Sequence, residues 1–149
     1  MKPGEAYWLR VKEVWTTISI YEGPKRFEKD FQKAPTVPRT LFAAHLCDSE
    51  VCNGGFDQFF YNATGVLAPE AVMAYRSIGM PQLATVVEQA MNWFEKPYPR
   101  DRSERNLKMT WPKGARQFST FDNEFYRLVK SENGGFLVAA DAWASSNGE

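Results

Sequence analysis

One histidine, His45, stands close to Cys47, Asp48, Glu50 and Cys52, so any imidazole chemistry in this chain must pass through it. On a helix, a cysteine two residues from its base points to a different side, whereas His45 and Asp48, three apart, can share a hydrogen bond. A hydrolase-like enzyme using His45 would start from that pair. The plainer reading is a partly buried histidine tied to a neighbouring carboxylate. A metal site built on His45, Cys47 and Cys52 lacks a fourth ligand and the Cys-x-x-Cys spacing that pinches a zinc ion. No Walker-type loop, dinucleotide-binding glycine pattern or carboxylate pair on adjacent helical turns occurs. The expectation is therefore no catalytic residue, no metal and no cofactor. Cys47 and Cys52, five apart on a helical segment, fall on different faces and should be free thiols in a reducing compartment.

A second cluster is richer in amides than in nucleophiles. Asn53-Gly54-Gly55-Phe56-Asp57-Gln58-Phe59-Phe60-Tyr61-Asn62 packs small, amide and aromatic residues into one turn-helix-turn unit. Asn53, Gln58 and Asn62 carry donors and acceptors suited to backbone groups freed at closely spaced helix ends. The motif residues Asn53, Gly54, Gly55, Phe56, Gln58, Phe59, Asn62 and Gly65 therefore read first as structural. The string Asn-Gly-Gly-Phe recurs at Asn133 to Phe136, where only the helix break is shared.

The elements that must position these residues are helical. The chain has 149 residues, 44% hydrophobic and 15% aromatic, enough for the core of one domain spanning 1–149. Tyr7, Val11, Val14, Trp15 and Ile18 mark a helix from Gly4 to Tyr21 that ends near Gly23-Pro24. Phe27 and Phe31 anchor one or two turns before Pro35 and Pro38 interrupt. A helix from Thr40 to Val51 stops at Asn53-Gly54-Gly55, and another through Phe56, Phe59 and Phe60 stops at Asn62 to Gly65. Ala68-Pro69-Glu70 opens a helix to Ile78, and Pro81 begins its hairpin partner, which runs through Phe94. Residues 96–114, with only Leu107, Met109 and Trp111 to bury, read as an irregular connection with one helical turn. Thr120 or Asp122 caps a long helix ended by Asn133-Gly134-Gly135, and Phe136 to Trp143 lie on the last. The result is an all-α fold of about seven to nine helices by these start and stop signals, with no strand pattern.

Charge narrows the partner classes. The 18 basic and 18 acidic residues cancel, which gives no general pull toward nucleic acid or anionic lipid. Residues 41–95, however, hold one basic residue against six acidic, a net −5. No stretch approaches the roughly 20 apolar residues of a membrane span, and Met1 to Trp8 shows no signal core, so a cytoplasmic location is expected.

The string Glu50 to Gly65, together with Ala71 to Gly79 and the late Phe121-Asp122-Asn123-Glu124-Phe125-Tyr126, resembles the DNA-mimic-protein family of small bacterial helical domains. The resemblance implies a domain whose named member forms a homodimer, imitates the charge pattern of duplex DNA and occupies the DNA-binding face of a transcription factor. It implies a non-enzymatic protein-binding role without direct nucleic-acid or membrane contact. Because mimicry needs carboxylates spaced like phosphates, Asp48, Glu50, Asp57 and Glu70 become the candidate partner-binding residues. The alternative is an immunity or inhibitor protein for a toxin or enzyme, which an exposed aromatic patch around Trp8, Trp93, Trp111 or Trp143 would favour.

Overall fold

The computed structural model describes residues 1–110 and 118–148, and glycine and proline punctuation divides these described residues into eight α-helices. They are α1 (Glu5–Lys12), α2 (Pro24–Lys33), α3 (Thr36–Tyr61), α4 (Ala68–Ser77), α5 (Pro81–Met91), α6 (Arg102–Thr110), α7 (Ser119–Ser131) and α8 (Phe136–Ser146). Tighter 3-10 turns occupy Ala63–Leu67 and Glu132–Gly134. The fold is all-α, with no strand among the described residues.

Helix α3 is the axis of the molecule. It packs against α1, α4, α6, α7 and α8, while α4 and α5 form a hairpin whose second helix lies on α7. Phe56, Phe59 and Phe60 are fully buried at its far end. Phe60 meets Phe94 edge to face at 5.2 Å and Phe56 meets Phe125 at 5.7 Å, so α3, α7 and the end of the hairpin share one aromatic core.

The opening helix stops at Lys12 and not at Tyr21, and residues 13–17 form successive turns. Val14 and Ile18 remain buried all the same. The apolar spacing located burial correctly at Tyr7, Val11, Val14 and Ile18 but not at Trp15, which is exposed, and the β-branched Thr16, Thr17, Ile18 and Ile20 weaken the helix that the spacing implied. Helix α2 is longer than one or two turns because Pro24 at its first position sets a helical φ where no amide is needed. Pro35 and Pro38 begin α3 where an interruption was expected: Pro35 precedes it and Pro38 sits in its first turn, where amides have no helical partner.

The connection expected over 96–114 contains a real helix, α6. Its inward residues are Met109 and, unexpectedly, Arg105, so apolar counting alone missed it. Trp111 and Gly114 lie outside the described residues. Helix α7 starts at Ser119 without a side-chain cap, so neither Thr120 nor Asp122 serves it.

Candidate functional site

Around Gly54 and Gly55 the backbone leaves helical geometry without ending α3. Gly54 has φ −149° and ψ 18°, and Gly55 has φ 74° and ψ −176°. A side chain at Gly55 would be strained at that φ, and its Cβ would fall 2.7 Å from Asp122 Oδ2. That carboxylate is close for a reason: the Phe56 amide donates to Asp122 Oδ1 at 2.8 Å. Asp122, expected to cap its own helix, instead caps the second half of α3 across the fold, where the free amides favour negative charge.

Two other carboxylates do the same. Glu132 accepts from the amides of Gln82 and Leu83 at the start of α5, both at 2.8 Å. Asp141 accepts from Gly4 and Tyr7 around the start of α1, at 2.7 and 3.0 Å. The repeated Asn-Gly-Gly-Phe string shares turn chemistry, as expected, since Gly135 has φ 93° and ψ 162°, close to Gly55, and also feeds a buried phenylalanine.

The motif's amides converge on one carboxylate. Glu50 accepts from Gln58 Nε2 at 2.5 Å, Asn62 Nδ2 at 3.3 Å and Thr64 Oγ1 at 2.6 Å, while Asn53 Nδ2 donates to Gln58 Oε1 at 3.1 Å. Their place between two helix breaks suits these amides to backbone groups. The structure ties them to Glu50, clamping the kinked half of α3 to the turn that follows it. Thr64 carried no signal beyond its place in the string.

Guanidinium groups serve the backbone instead. Arg105 is fully buried and donates to the carbonyls of Phe60 at 2.8 Å, Asn62 at 2.9 Å, Pro99 at 3.2 Å and Arg100 at 2.5 Å. Arg102 donates to Tyr61 O at 2.9 Å. Cations here meet the negative end of α3 and carbonyls that have no helical partner. Gly65 is required by close approach, because a Cβ there would lie 2.7 Å from Arg105 Nε.

His45 lies on α3 opposite α1. Its Nδ1 is bonded to the Tyr7 hydroxyl at 3.0 Å, a phenol rather than the neighbouring carboxylate expected from sequence. Trp8 and Trp15 flank it at 5.1 and 6.0 Å between ring centroids, and burial lowers its pKa. It borders a solvent-open depression of about 520 Å³ with Tyr7, Trp8 and Leu137. Asp48 instead accepts from the Cys52 thiol at 3.2 Å. Both cysteines are free; burial pushes the Cys47 thiol far up and the Cys52 thiol up to about 12, which favours the protonated thiol at both. Among the described residues no group of His, Cys, Asp or Glu is placed to hold a metal ion.

Desolvation raises the Asp48 pKa above the ordinary carboxylate value. A raised carboxylate pKa means that ionisation costs the folded state more than the unfolded chain, so the penalty is present at neutral pH and disappears as pH falls below the unfolded value. Asp48→Asn, which keeps an oxygen for Cys52, should therefore raise the urea midpoint at pH 7, with the gain shrinking toward about pH 4. An equal gain at both pH values would show that the carboxylate charge is not its source.

The four candidate partner-binding acids are not brought together as one set of open charges. Glu50 holds the clamp, and Asp48 is partly buried under Cys52. Glu70 is paired with both terminal nitrogens of Arg100, at 2.8 and 3.0 Å. Asp57 is exposed on the second half of α3.

These features define a class: an all-helical domain built on one glycine-kinked helix, whose polar residues chiefly wire helix ends. The chain belongs to the DMP19-like protein family, whose model matches residues 32–147. That span takes in the kink, the Glu50 clamp, Arg105 and all three carboxylate caps. No curated protein and no solved structure matches the chain. No described helix is long and apolar enough to cross a membrane.

Proposed function

We propose that this chain is a non-enzymatic protein-binding domain of the DNA-mimic type, which occupies the nucleic-acid-binding face of a transcription factor. Membership of the DMP19-like family across residues 32–147 carries the reading. Charge distribution supports it: the segment 41–95 has a single base, Arg76, and it forms most of α3 together with α4 and α5. Arg76 pairs with Glu88 at 3.1 Å and Arg100 with Glu70, so the contact centres on Glu50, with Asp48 and Asp57 near it in the chain. A homodimer belongs to the same proposal. The domain acts without cofactor, membrane or direct nucleic-acid contact.

The test is capture of partners from a lysate of the native host at low and high salt, read by mass spectrometry. A DNA-binding regulator released by salt and displaced by its own duplex is the expected result, because exposed charge pairs are screened within about 8 Å at physiological ionic strength. The second reading, an inhibitor or immunity protein, would use an apolar face at the exposed Trp15 and Tyr21, since Trp8, Trp93 and Trp143 pack partly buried against the core and Trp111 lies outside the described residues. It would be marked by a salt-resistant toxin or enzyme in place of the regulator.

A further inference from the structure

Next to the Glu50 clamp, a groove of about 470 Å³ runs between the segment after α1 and the face of α3. Trp15, Ile20, Phe42 and Leu46 supply its apolar lining, and Ser49, Glu50 and Thr64 its polar one. The donors on Glu50 are two amides and a hydroxyl, all neutral, so they leave its negative charge uncompensated. Among the described residues no lysine or arginine pairs with Glu50, and none lines the groove. A carboxylate has about four lone-pair sites, of which these donors occupy three.

We infer that this groove receives a basic side chain of the protein partner. The aliphatic stem lies along Ile20, Phe42 and Leu46, and the cationic head reaches the open site on Glu50 beside the Trp15 ring. Each part has a separate physical source. Long basic side chains bury their methylene stems while keeping the charge near a polar group. A cation gains from an indole face and from a charge-assisted bond to a carboxylate. A polypeptide is the source because the groove's own lining ends on the exposed Tyr21 ring, which leaves open apolar surface at its rim for a neighbouring partner residue to pack on. The inference rests on the protein-binding reading and specifies the chemistry of its contact. A basic anchor is what a DNA-binding surface offers.

The test titrates the full ¹⁵N-labelled chain with N-acetyl-arginine amide, N-acetyl-lysine amide and the uncharged N-acetyl-norleucine amide. The cationic probes should shift the Trp15 indole and the amides of Ile20, Leu46 and Thr64, and norleucine amide at equal concentration should not. Ser49→Arg, at an exposed position on the groove, should abolish the response while leaving the melting temperature unchanged, and Trp15→Ala should weaken it. Equal shifts from the uncharged probe, or an undiminished response in Ser49→Arg, would overturn the inference. With a captured partner, Ser49→Arg should weaken binding by about tenfold, corresponding to ~1.4 kcal/mol. Unchanged affinity there would remove the groove from the interface and leave the protein-binding reading standing. Failure to capture any protein would instead sink both.

Discussion

Replacing Arg105 with methionine should lower the free energy of unfolding by about 2–6 kcal/mol, counting ~1–3 kcal/mol for each of the two acceptors whose bonds to it are buried, the carbonyls of Phe60 and Pro99. Its guanidinium is fully buried and bonded to four backbone carbonyls, two of them, Phe60 and Asn62, at the end of α3. Methionine fills much of the volume but restores none of those bonds, so burial is preserved and the lost term is polar. Arg105→Lys should recover only part, since an ammonium cannot copy a planar fork that reaches several carbonyls at once. The measurement is urea unfolding followed by far-UV circular dichroism. A loss under about 1 kcal/mol, the net worth of one ordinary hydrogen bond, would show that water replaces the guanidinium.

Phe56→Ala should cost about 3–5 kcal/mol, the range for a buried phenylalanine whose cavity does not collapse. The ring is fully buried, stacks on Phe60 at 5.7 Å and meets Phe125 edge to face. Its backbone is fixed as well, because the Phe56 amide is held by Asp122 from α7. Collapse of neighbouring rings into the space would have to move two helices. Against a total stability of roughly 5–15 kcal/mol for such a domain, a loss of this size should be plain in the denaturation midpoint. A cost under about 0.5 kcal/mol, typical of neutral surface sites, would place the ring outside the core.

Both positions bear on what could be read in advance. Phe56 announced itself, since three phenylalanines at helical spacing between two glycine breaks can hardly be accommodated except in a core. Arg105 gave no such signal. A lysine- and arginine-rich stretch around it reads as solvated chain, and burial of a guanidinium becomes intelligible only when unpaired carbonyls 40 residues or more away in the chain are seen beside it. The acidic candidates divide the same way. Charge counting correctly located a negative segment, yet Glu70 is cancelled by Arg100, 30 residues on. Glu50 had the right neighbours in its own string but a different role, gathering Gln58, Asn62 and Thr64.

What the sequence determined by itself is local. Apolar periodicity set the all-helical class and the buried faces, glycine set the kink at Gly55, and proline set the starts of α2, α4 and α5, because these are properties of a few adjacent residues and their φ and ψ. The tertiary structure decided which polar group answers which helix end. Asp122, Glu132 and Asp141 cap helices 49 or more residues away in the chain, and Arg105 closes α3. A free amide or carbonyl accepts any partner of the right charge within about 3 Å, and only packing determines which side chain arrives there.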